Sequence, residues 1–135
     1  MMVFFDTNVL IYAFCKNIDN VEQQNISVSL FEEAIIKENL ILSEVSLCEF
    51  AFISNKLKED TNVINQNLKF LSSFVRKQSN LSKRIIEIIS KTNLYKSSFD
   101  IYHLAFCEDN DCKLVTFDKG FKKFEAISKI KIDIL

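Results

Sequence analysis

The chain has 135 residues, 48% of them hydrophobic, and a formal net charge of -1 at pH 7. That length predicts one domain, residues 1–135, with a core of its own. The charge balance excludes a globally basic nucleic-acid binder, and no apolar run nears the ~20 residues of a membrane span. The N-terminus has no basic stretch ahead of its short apolar run, so no signal peptide is expected and a soluble cytoplasmic protein is the default. One glycine and no proline leave Asn, Asp and Ser to make the turns. Thirteen phenylalanines predict an aromatic core. Cys15, Cys48, Cys107 and Cys112 form no C-x-x-C pair and read as reduced thiols rather than zinc ligands.

In chain order, residues 2–5 read as a strand, with Asp6 capping a helix over 7–15. The polar stretch 16–26 reads as a loop. Ser27 or Ser29 opens a helix to about 38, followed by a short strand at 40–42. Ser43 caps a helix to about 58, and a second runs from Thr61 to about 77. Further helices are expected over 82–94 and from Ser98 to about 109. A strand follows at 113–117, then a short helix at 119–125 and a last strand at 130–134. Strands alternating with helices imply an α/β fold with a parallel sheet covered by helices.

The chemistry sits where apolar runs end in acids. Val3-Phe4-Phe5 stops at Asp6, then Thr7 and Asn8; Leu114-Val115-Thr116-Phe117 stops at Asp118. In a parallel sheet the carboxyl edge of the strands is where sites form. Two aspartates meeting there repel, and a divalent cation relieves that repulsion. Each also has a bland explanation, since Asp is a favoured N-cap and Asp-Lys-Gly is turn chemistry. Glu49 has Val45, Ser46, Phe52 and Ile53 at helical spacing, which sets it at or beside a buried face. Asp100 follows Ser97 in a Ser-x-x-Asp pattern close to a capping box. His103, the single histidine, lies one turn beyond it and reads as a surface or core residue.

The four acids form a recognisable series: Asp6-Thr7-Asn8-Val9-Leu10-Ile11, a Ser43-initiated helix carrying Glu49, Ser98-Phe99-Asp100 before Leu104-Ala105, and Leu114-Val115-Thr116 before Asp118. This order and spacing resembles the PIN-domain nucleases, especially the small VapC-like toxins of bacterial toxin–antitoxin pairs, over nearly the whole chain. The resemblance implies a three-layer α/β/α sandwich with a central parallel sheet. It also implies an acidic pocket for Mg²⁺ or Mn²⁺, cleavage of RNA, inhibition by a cognate antitoxin protein, and a homodimer. Carried over residue by residue, Asp6, Glu49, Asp100 and Asp118 match the family's four acids. Thr7, Asn8 and Thr116 match polar positions bordering the pocket.

On that reading Asp6, Asp100 and Asp118 hold the principal ion, while Glu49 positions the attacking water or helps hold a second ion. Thr116 orients a neighbouring carboxylate. Lys119 and Lys122, just past Asp118, are the favoured phosphate contacts. A non-catalytic PIN-like module binding RNA or protein is the main rival. A phosphotransfer domain of receiver or haloacid-phosphatase type is a third reading. It fits less well: Asn8 stands where the phosphatase pattern wants a second Asp, and Phe5 stands where a receiver wants an adjacent acid.

Overall fold

The computed structural model describes residues 1–77 and 80–135. Its first strand, β1 (Val3–Phe5), is buried along its whole length. A run of Val and Phe with no polar alternation suits a strand covered on both faces. β1 pairs in parallel with β2 (Lys113–Thr116), and β2 in parallel with β3 (Ile132–Ile134). On the other side of β1, Leu40 bridges Val3 and Leu42 bridges Val75, both in parallel. The sheet is therefore parallel throughout, with β1 and β2 at its centre.

Period-two alternation sorts the side chains onto the two faces. Val3, Phe5, Leu40, Leu42 and Val115 face one core, and Phe4, Ile41 and Leu114 face another. The first core is covered by α1 (Thr7–Phe14), α2 (Val21–Ile36), α3 (Glu44–Lys56) and α4 (Thr61–Leu71). The second is covered by α5 (Ser82–Thr92), α6 (Ser98–Asp109) and a 3-10 segment, Lys119–Phe124. Helices on both faces of a parallel sheet make the three-layer α/β/α sandwich expected above. Arg84 clamps α5 to α6 through two bonds to Glu108 and adds a third to the Ile127 carbonyl. That ties the segment beyond Asp118 to the second layer.

The local differences from the sequence reading have local causes. Residues 16–26 are not all loop, because α2 begins at Val21, where Asn20 accepts from the Gln23 N–H as N-cap. The first two turns of α2 run over the surface, with Val21 exposed, and so lack the apolar stripe that announces a helix. The helix from Thr61 stops at Leu71, and after a 3-10 turn Val75 joins the sheet edge beside Leu42. Residues 40–42 contribute two bridges rather than a strand. Ser43 caps α3 as expected, in a reciprocal box with Ser46. Turn chemistry extends past Asn and Asp: Glu38 and Lys58 adopt positive φ, alongside Asn93 and Asp111.

Candidate active site

Asp6 leaves the carboxyl end of β1 and caps α1, its Oδ1 accepting from the Thr7 N–H at 2.8 Å. Its other oxygen is also engaged. Oδ2 accepts from the Thr116 hydroxyl at 2.8 Å and from the Asn8 amide at 3.3 Å. The cap and the site are thus one structure. Burial pushes the Asp6 carboxyl up from its ordinary value, against the charge of His103 and the hydrogen bonds from Thr116 and Thr7.

Thr116, at the end of the neighbouring strand, is fully buried and joins the two strand ends. It donates to Asp6, accepts from the Asn8 amide at 3.2 Å, and accepts from the Asp118 N–H at 2.9 Å. The Asn8 side-chain Oδ1 in turn accepts from the Phe117 N–H. Asp118 itself is exposed, and its Oδ1 accepts from the Gly120 N–H at 2.7 Å. The chain's single glycine leaves room for that approach: a Cβ at 120 would stand 2.9 Å from Asp118 Oδ1 and push the carboxylate aside. Replacing Thr116 by Val keeps the shape and strands two donors and one acceptor. Urea unfolding should show a loss of about 2–3 kcal/mol, with Thr116→Ser close to wild type. A Val variant as stable as wild type would remove Thr116 from this role.

Asp100 enters from the first turn of α6. Ser97 stands at the N-cap but makes no side-chain cap bond, so the expected capping box is absent; its hydroxyl accepts from Lys123 Nζ instead. Asp100 is half-buried, and its carboxyl is pushed up to about 6, first by burial and then by the charges of Asp6 and Asp118. His103 and Lys123 partly oppose the shift. Asp100 therefore feels the charges of Asp6 and Asp118, from two other elements, across the carboxyl edge of the sheet.

Glu49 reaches the cluster from α3. Its Oε1 accepts from the Thr7 hydroxyl at 2.9 Å and meets His103 Nε2 at 2.5 Å. Burial opposes its ionisation, but the His103 hydrogen bond and charge, with the Thr7 bond, hold it below the usual carboxylate range. His103 is fully buried, and the same Nε2 lies 3.9 Å from Asp6 Oδ1. The lone histidine, read from sequence as surface or core, is thus part of the acidic cluster. The available signal was its position one helical turn from Asp100. Lys123, a basic residue of the same stretch that sequence reasoning ranked below Lys119 and Lys122, is the one whose charge reaches Asp100, while Lys119 and Lys122 lie exposed on the same short segment.

All of the acids are oxygen donors, and Asp6 and Asp100 are held back from easy ionisation, which is the chemistry a hard divalent cation relieves. Among the described residues, no three acidic, histidine or cysteine side chains are drawn together tightly enough to ligate one ion as they stand. The fit is therefore one of donor type and charge.

A family model for the PIN domain matches residues 3–127. The chain belongs to the PIN-domain family. PIN domains are generally nucleases. Among solved structures, the crystal structure of VapBC2 from Rickettsia felis bound to a DNA fragment from their promoter is similar, with a TM-score of 0.71 and 18% identity. The match covers 100% of this chain and 99% of that one, so the shared fold runs the length of the chain. No curated protein sequence matches. Within this PIN domain none of the described helices is long and apolar enough to cross a membrane.

Proposed function

We propose that this PIN domain is a metal-dependent endoribonuclease acting as the toxin of a toxin–antitoxin pair. The observation that carries the reading is the gathering of Asp6, Asp100 and Asp118 at the carboxyl edge of the sheet, where the charges of Asp6 and Asp118 help raise Asp100 to about 6. Those three would hold Mg²⁺ or Mn²⁺. A bound ion of that kind supplies Lewis acidity toward the scissile phosphate and lowers the pKa of water.

The chain's own residues do the remaining work. Thr116 and Asn8 fix the Asp6 carboxylate, and the Gly120 N–H fixes that of Asp118. Glu49, ionised and held by two donors, takes the proton of the attacking water. Lys119 and Lys122 neutralise backbone phosphates on either side of the cut. Replacing both by Ala should weaken RNA binding and flatten its log–log salt dependence by about 1.4, for two single-strand phosphate contacts. An unchanged slope in a filter-binding titration would remove them from the interface.

The partner follows from the same reading. The similar solved structure holds VapBC2 on promoter DNA, and here a cognate antitoxin would cover the toxin. An apolar cleft of about 360 Å³, lined by Ile11, Tyr12, Ile18, Ile53 and Leu57, opens beside Asn8 and suits an apolar segment of such a partner. A homodimer and a cytoplasmic location complete the proposal.

RNA cleavage with and without Mg²⁺ or Mn²⁺ tests it. Cutting that needs the metal, and that Asp6→Asn and Asp100→Asn both abolish, supports the nuclease. A folded wild type that neither binds Mn²⁺ nor cuts overturns it in favour of a non-catalytic PIN-like binding module.

A further inference from the structure

His103 is the most heavily constrained side chain of the site, and the nuclease chemistry just described gives it no task. Its ring is fully buried, packed 5.2 Å from the Phe4 ring and 6.1 Å from that of Tyr102. Phe4 is itself fully buried, so the imidazole has little room to turn. Its Nδ1 has no hydrogen-bond partner among the described residues. An orphaned buried nitrogen is costly, and such exceptions in a native interior call for a reason. The whole polar capacity of the ring is spent through Nε2, at 2.5 Å from Glu49 Oε1 and 3.9 Å from Asp6 Oδ1.

The Thr7 hydroxyl falls on the same Glu49 oxygen, at 2.9 Å. Two donors therefore occupy Oε1, one from the N-terminus of α1 and one from α6. An oxygen that accepts two short hydrogen bonds is poorly available to a cation. Through His103 Nε2, 3.9 Å from Asp6 Oδ1, the occupied Oε1 is also the oxygen set toward Asp6, and among the described residues no hydrogen bond is given to Oε2.

We infer that His103 is a positioning residue that, with Thr7, withholds Glu49 from the metal ion, leaving ligation to the three aspartates and Glu49 to the attacking water. The inference rests on the nuclease reading and deepens it, because it decides between the two tasks open to Glu49. Removing the His103 donor should release Glu49 to become a ligand.

Mn²⁺ affinity of the metal-stripped protein, measured by calorimetry, reads this without reference to cleavage. In the wild-type background Glu49→Gln should weaken Mn²⁺ binding by less than about twofold. In a His103→Leu background the same change should weaken it by about tenfold, the scale of a lost or mis-set ligand. His103→Gln, whose amide can still donate to Oε1, should restore the small penalty. Equal penalties in the wild-type and Leu backgrounds, or a tenfold loss already in wild type, overturn the inference.

A measurement on the unaltered protein guards against a Leu variant that does not fold. The imidazole Nε2–H resonance of His103 should persist at an unchanged shift when the protein is saturated with Mg²⁺. Its loss or a large shift means that Glu49 has moved to the ion, and that overturns the inference as well. Wild type that takes up neither Mn²⁺ nor Mg²⁺ fails the nuclease reading itself, and the inference with it. Metal uptake with equal penalties fails the inference alone.

Discussion

Asp6→Asn should lose at least about a thousandfold in RNA cleavage while remaining folded, its unfolding midpoint within about 5 °C of wild type. The first half follows from charge. Asp6 is the most buried acid of the cluster, and its amide offers a cation one neutral oxygen in place of a carboxylate. The second half follows from two opposing effects. Asn is as good an N-cap as Asp, so the bond from the Thr7 N–H can be kept. The donors from Thr116 and Asn8 then face an NH₂ group, and both bonds are lost at a cost of about 2 kcal/mol. Against that, the variant no longer buries a charge, and burial is what dominates the upward shift of the Asp6 carboxyl. The two nearly cancel. Cleavage assays paired with thermal unfolding decide the matter: a variant that is inactive because it no longer folds would make Asp6 a structural cap first and a site residue second.

That overlap of cap and site explains what could be read from the sequence. Asp6 and Asp118 were visible because a parallel strand is buried on both faces, so its apolar run ends abruptly where the chain reaches the sheet edge. Thr116 was visible for the same reason, as the last residue of such a run. A parallel sheet covered by helices followed from the alternation of strands and helices, and the three-layer sandwich from the family resemblance. Glu49 was half visible: helical spacing set it beside apolar neighbours, but its partners Thr7 and His103 lie 42 and 54 residues away in sequence. No local pattern carries a contact of that range. His103 was invisible as a partner because one histidine on an apolar helix face is equally a core residue, and it is in fact both. The start of α2 was missed because its first turns cover no core, so periodicity, the strongest helix signal, is silent there. The Ser97 box was expected and is absent, since the serine hydroxyl serves Lys123 instead. A cap motif in sequence is a statement about one end of one helix. Here a residue of the following segment competes for the same oxygen.

Asp100→Asn should combine the same loss of cleavage with a gain in stability that depends on pH. The wild-type carboxyl is raised to about 6 in the folded state and sits near 3.9 in the unfolded chain. The folded protein therefore binds more protons between those values. Stability from this group is fully present below the unfolded value and is lost as pH rises through about 6. Two pKa units convert to nearly 3 kcal/mol, but Asp100 is only half-buried, and solvent screening reduces the effect to about 1 kcal/mol. In chelator, then, the variant should match wild type near pH 4 and exceed it by about 1 kcal/mol at pH 8. Divalent metal should reverse the ranking. An ion that binds only the folded state adds about 2.7 kcal/mol at a hundredfold excess over its Kd. Wild type gains all of it, and the variant, short of one carboxylate, gains far less. A crossing of the two stability curves on adding Mg²⁺ would tie the repulsion to metal binding: the charge that weakens the metal-free fold would be the charge that holds the ion. Denaturant unfolding of both proteins at pH 8, with chelator and with Mg²⁺, measures it. Curves that keep their order in both conditions would mean that the crowding of Asp6, Asp100 and Asp118 is not relieved by a metal.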